Sequence, residues 1–267
     1  MSRKRRVHPR TAYAGEAPST MSDDLRSAAD ATARAPPRIA AIDVLRGIAI
    51  LAMIAYHFAF DLRHFGFTQS DFEHSPYWIA ARSLILSSFL LLAGVSLVLA
   101  DSRGASPRRF WMHVGRIAAC ALLVSAASYL MFPQTFIWFG VLHAIAVSLV
   151  VAQPLVRRPA VALILGVIVV VAGLAVADAA FDNRALGWVG FMTHKPPTED
   201  YVPLFPWTGV LLLGIPVGHA FAQGRLGTLD RLERAPHALA WLGRHSLLVY
   251  MVHQPILIGA LWLITHT

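Results

Sequence analysis

Apolar side chains gather in this chain into seven long runs, at residues 42–61, 79–100, 114–132, 137–156, 160–177, 204–222 and 245–265. A helix needs roughly 20 such residues to cross the hydrocarbon core of a bilayer. Helices are also the only open-ended way across, because lipid offers backbone amides no partner. The runs therefore predict an all-α fold: a polytopic transmembrane helix bundle of about seven spans. The chain is 56% hydrophobic and 14% charged, whereas soluble domains carry roughly 25% charged residues. The single cysteine, Cys120, lies inside an apolar run. One cysteine excludes an intramolecular disulfide framework or a cysteine-based zinc site.

Charge sets the expected orientation. Residues 1–38 carry Arg3, Lys4, Arg5, Arg6, Arg10, Arg26, Arg34 and Arg38 among Ala, Ser, Thr and Pro. No apolar stretch follows the first basic cluster, so the segment is not a secretory signal. It reads as a disordered basic cytoplasmic tail ahead of a membrane domain over 39–267. With the tail inside, the inner segments hold 18 Lys and Arg and the outer ones 4. That asymmetry places the N-terminus in the cytoplasm and the C-terminus outside, in a cytoplasmic (inner) membrane. The net charge of +8 is then topology and attraction to a lipid bilayer; no nucleic acid partner is expected.

Ionisable residues within spans are costly and tend to mark function. The first run has four: Asp43, Arg46, His57 and Asp61. At 100° per residue, His57 lies about 20° from Arg46 and about 40° from Asp43 around the helix, with Asp61 one turn further on. They form one stripe, with Arg46 near the inner end and His57 roughly 16 Å along it. An interfacial Asp43–Arg46 salt bridge beside a bundle histidine would give the same stripe. His143 falls roughly 10 Å, and His57 roughly 6 Å, below the outer surface, depths that would let the two share one pocket; a hydrogen bond from His143 or His253 to a neighbouring helix is the structural alternative. His253, followed by Gln254, falls near mid-membrane. His219, His113 and His245 read as structural. Two outer segments, 62–78 and 178–203, are long enough to be functional; the second carries Asp200. Gly214 and Gly218 permit close helix packing, and Pro216 between them is expected to bend that helix. No His/Cys/Asp/Glu cluster has metal spacing, so no metal is expected. Walker-type, GxSxG and HExxH motifs are absent from the sequence.

Four segments in order carry a resemblance: RIAAIDVLRGIAILAMIAYHFAFDLRHFG at 38–66, FGVLHAIAVSL at 139–149, DYVPLFPWTGVLLLGIPVG at 200–218 and LGRHSLLVYMVHQPIL at 242–257. Together they resemble the heparan-α-glucosaminide N-acetyltransferase catalytic family in its compact bacterial form. The ten residues between Arg46 and His57 are also similar to the Arg-x10-His motif that opens type-3 membrane acyltransferases. The resemblance implies transfer of an acyl group from cytoplasmic acetyl-CoA, a co-substrate rather than a bound cofactor, to a glycan or amino-sugar acceptor at the outer face. A histidine serves as base or acyl carrier. By motif position it implies His57 as that residue, with Asp61 and His143 beside it as catalytic candidates, Arg46 and Asp43 toward the donor, and Asp200 and His253 toward the acceptor. In the animal lysosomal enzyme the essential histidine comes later; the matching stretch here, around Thr68, is flanked by His64 and His74.

Physical chemistry is compatible with that role. Acyl-CoA phosphates need cationic contacts, which Arg46 can supply. A neutral imidazole at the other end of the stripe can deprotonate a nucleophile, and the thioester already activates the acyl group. A small-molecule or proton-coupled transporter remains a competing reading, since an Asp-Arg-His stripe also suits an ion path. A noncatalytic membrane subunit is a third, and a homo-oligomer is compatible with each.

Overall fold

The structure, a computed structural model, describes residues 40–226, Leu232 and residues 235–266. The tail expected over 1–38 lies outside the described residues. Among them are eight α-helices: α1 Ala40–His64, α2 Pro76–Ser102, α3 Pro107–Met131, α4 Val141–Ala152, α5 Pro159–Ala175, α6 Leu204–Ala222, α7 His237–Arg244 and α8 Ser246–His266. Proline supplies the first turn of α2, α3 and α5, where its missing N–H costs no helical bond. Ser106 caps α3 by accepting from the Arg109 amide.

Five helices, α1, α2, α3, α6 and α8, are long and apolar enough to cross a membrane. The fourth and fifth expected spans are also helical but shorter, over Val141–Leu155 and Pro159–Ala175. The fourth was expected from residue 137. It starts late because residues 137–140 spend their backbone groups elsewhere. The Ile137 carbonyl accepts from Ser125 Oγ at 2.5 Å, the Ile137 amide donates to Ser128 Oγ at 3.0 Å, and Phe139 forms an isolated bridge with Tyr201. Apolar composition alone did not reveal these competing partners.

The core centres on α6, which packs between α2 and α5. Leu211, Leu212 and Ile215 are buried there. Helices in lipid associate through close packing rather than hydrophobic expulsion, so small residues matter at crossings. A Cβ on Gly94 of α2 would stand 2.1 Å from the Leu211 carbonyl oxygen, and one on Gly214 would stand 2.3 Å from the Leu91 carbonyl oxygen. Gly218 continues that seam, as expected from its spacing: its Cβ would meet Val98 and Val95. The non-helical residue within α6 is Phe205, near its start, rather than a neighbour of Pro216.

A second close approach positions the site. The short helix α7 packs on α1, with Gly243 against the Asp43 carbonyl and Gly47 against the Leu239 carbonyl. A Cβ on Gly243 would also lie 3.0 Å from the Gly47 amide, so these two glycines seat α7 on α1 just before the chain enters α8.

Candidate active site

His57 and His253 each lie ten residues beyond that contact, His57 after Gly47 and His253 after Gly243. Along α1 the ten residues from Gly47 rise roughly 15 Å, while the chain beyond Gly243 leaves α7 at His245 and runs into α8. The two rings lie with centroids 5.1 Å apart and planes tilted by 58°. His253 is buried, at 7% exposure. Its Nδ1–H donates to the Tyr250 carbonyl at 2.6 Å. A carbonyl only accepts, so this bond fixes the tautomer and leaves the Nε2 lone pair free. That nitrogen is buried and has no hydrogen-bond partner among the described residues.

Beside the pair, Gln254 ties α8 to α1. Its amide Nε2 donates to Asp61 Oδ1 at 2.9 Å. Asp61 is 3% exposed, and its hydrogen bond goes to Gln254 rather than to His57. Asp61 Oδ2 and Gln254 Oε1 are buried acceptors without partners among the described residues. Leaving such groups unsatisfied is costly, so the cluster suits a ligand that brings hydrogen-bond donors. The 62–78 segment folds back over this end of α1. Buried Phe72 packs edge-on against Tyr56 and Phe60 and stacks on Trp78 at 4.2 Å.

The other end of the stripe holds Arg46. Its guanidinium donates to Ser96 Oγ of α2 and lies 3.9 Å from Asp43 Oδ1. Its side chain keeps 29% exposure. His113 and Arg116 of α3 are close enough to interact with one another electrostatically, as are His113 and Arg46. The interfacial ion pair that the sequence allowed is thus present, with Arg116 of α3 as a second cation in the neighbourhood of His113.

His143 occupies a different setting. Its Nδ1 accepts from the Gly140 amide at 3.2 Å, and its Nε2–H faces Ser125 Oγ at 3.3 Å. Both ring nitrogens are engaged in holding the start of α4. Asp200 works on the same turn, accepting from the Val141 amide at 2.8 Å. Burial raises its carboxyl above the usual range, an effect partly offset by the Val141 bond and by Arg82 and Lys195. Neighbouring bonds zip 198–202 to 135–141: Glu199 N–H to Thr135 O at 3.0 Å, Val202 N–H to Phe139 O at 3.3 Å and Thr198 Oγ1 to Phe136 O at 2.9 Å. Asp200→Ala should therefore orphan a helix-terminal amide and cost about 1–3 kcal/mol, whereas Asp200→Asn keeps an acceptor there. A raised carboxyl pKa makes its contribution fullest below about pH 4 and erodes it as pH rises through the folded value. Thermal unfolding across pH should show that slope in the wild type and a flatter one in Asp200→Asn. Equal slopes would remove the assignment.

The catalytic-domain model of heparan-alpha-glucosaminide N-acetyltransferase matches residues 38–255. The chain belongs to this family. The matched region begins just before α1 and ends within α8, so it includes the Arg46 group, the His57–His253 pair and Asp61 with Gln254. No curated protein and no solved structure gives a significant match. The chain is thus an integral membrane protein of an acetyltransferase family.

Sequence reasoning placed His57, Asp61 and Arg46 on one stripe of α1 and looked to His143 as a neighbour of His57, where the structure sets the His253 ring against it. It missed Gln254 as the partner of Asp61. Depth counted from the edge of each apolar run did not single out His253. The runs do not share an origin, and the contact that seats α7 on α1 at Gly47 and Gly243 is not visible in either run alone. His219 is structural as expected, donating through Nε2 to the Val156 carbonyl at 2.8 Å.

Proposed function

We propose that this protein transfers the acetyl group of cytoplasmic acetyl-CoA to an amine or hydroxyl of a sugar acceptor on the opposite side of the membrane. The observation that carries the reading is the partition of α1. Arg46, with Arg116 in its neighbourhood, lies at one end, and roughly 16 Å along the helix lies an imidazole pair, His253 buried and His57 half-buried, next to unpaired acceptors. The CoA phosphates would meet Arg46, with His113 and Arg116 nearby. Asp43 holds the guanidinium in place. The thioester would reach His57, while Asp61, Gln254 and His253 would face the acceptor. His143 and Asp200 would act indirectly, by fixing the turn before α4. This orientation puts the basic tail 1–38 and the N-terminus in the cytoplasm and the C-terminus outside, in an inner membrane.

Reconstituted protein should release CoA from acetyl-CoA only when an amino-sugar or sugar-hydroxyl acceptor is supplied, beyond any single-turnover amount. Uptake of solute without CoA release would instead favour a transporter. Arg46→Ala should weaken acetyl-CoA binding by about 10–100-fold, the loss expected for one charge-assisted hydrogen bond. Calorimetry on the detergent-purified protein reads this directly. Unchanged affinity in a folded variant would remove Arg46 from the donor site.

A further inference from the structure

We infer that His253 is a second catalytic residue: the base that takes the proton of the attacking acceptor and returns it to His57 as the acetyl group leaves. The inference rests on the acetyl-transfer reading and assigns His57 as the transient carrier within it.

The chemistry requires a second group. In the first step a His57 ring nitrogen attacks the thioester carbonyl carbon. An N–C bond forms, the C–S bond breaks, and the departing thiolate gains the proton that the imidazole loses. His57 is then an acetylimidazole whose bonded nitrogen has no basic lone pair. In the second step the acceptor X–H attacks the acetyl carbon, forming X–C and breaking C–N. The X–H proton needs a base, and the leaving imidazole nitrogen needs an acid. One neutral imidazole next to His57 performs both tasks in turn and ends unchanged.

His253 meets each condition. Its ring centroid is 5.1 Å from that of His57. Its tautomer is set by the Nδ1–H bond to the Tyr250 carbonyl, which leaves Nε2 as the proton acceptor. That nitrogen is buried and unpartnered among the described residues, so it is not competing for a structural bond. His143 lacks this freedom, since both of its nitrogens are engaged. Gln254 follows directly in sequence and is held by Asp61, which restrains the turn of α8 that presents the ring.

The test uses full-length protein in detergent with acetyl-CoA labelled in the acetyl group. His253→Asn is the informative variant: its side-chain amide still donates to the Tyr250 carbonyl, but it has no basic nitrogen. Without acceptor, both wild type and His253→Asn should release CoA in a burst close to one per chain. The label should map to the peptide containing His57. With acceptor, His253→Asn should turn over about 10²–10⁴-fold more slowly than wild type, while labelled protein accumulates. Free imidazole should restore turnover to His253→Gly. A structural role alone would predict near-normal turnover in His253→Asn, and that result overturns the assignment. Loss of the burst in a His253→Asn protein that still binds acetyl-CoA also overturns it. If His253→Asn does not bind acetyl-CoA, His253→Gln is judged by the same two criteria. A wild-type protein with neither burst nor turnover refutes the acetyl-transfer reading first, and this assignment with it.

Discussion

His57→Gln should abolish acetyl transfer almost completely while leaving the protein folded and able to bind acetyl-CoA. Glutamine keeps polarity and hydrogen-bonding capacity but cannot titrate or carry the acetyl group. The expected fall in turnover is at least about 10²–10⁴-fold, the usual contribution of acid–base catalysis alone. The acceptor-free CoA burst should vanish too, which separates this variant from His253→Asn. Donor affinity should hold, because Arg46 stands roughly 16 Å away along α1. Stopped-flow CoA detection with a thiol reagent checks both rates. Near-normal transfer by His57→Gln would move the chemistry elsewhere, with His64 and His74 the next imidazoles to examine.

Gly94→Leu should disrupt the bundle itself. The added carbons would run into the Leu211 carbonyl oxygen and the Gly214 Cα. Both are backbone atoms of α6 and cannot turn aside as a side chain would. Overpacking of this kind costs about 1–3 kcal/mol or more. Here it also separates α2 from the helix at the centre of the core, so recovery of monodisperse protein should collapse. Gly115→Leu and Gly259→Leu are the controls, because a Cβ at either position meets nothing within 4 Å. Size-exclusion profiles and thermal unfolding in detergent measure the difference. Equal stability of Gly94→Leu and the two controls would refute the close-packed seam.

These predictions also mark what was legible before the fold was known. Helical class and the placement of the apolar runs followed from hydropathy, because lipid leaves the backbone few alternatives. The Gly214–Gly218 seam followed from spacing. The candidate site was legible along α1, where one helix carries Arg46, His57 and Asp61 and their separations are fixed by helical rise. It was not legible between helices. Which histidine meets His57 depends on how α8 lies against α1, and that follows from the seating of α7 on α1 at Gly47 and Gly243 together with the break at His245. The late start of α4 was hidden for a similar reason. Ser125, Ser128 and Asp200 take the backbone groups of the preceding turn and of the first residue of α4, and Asp200 belongs to a distant segment.

The central place of α6 has a consequence for biogenesis. During synthesis α2 and α5 leave the ribosome before α6, yet both complete their packing against it. The glycine face of α2 therefore enters the bilayer without its final neighbour and must wait there until α6 arrives. Quality-control proteases of the membrane would meet a nascent chain whose closest-packed seam is still open. A chain arrested before Leu204 should be degraded rapidly, whereas one arrested after Ala222 can already close its core.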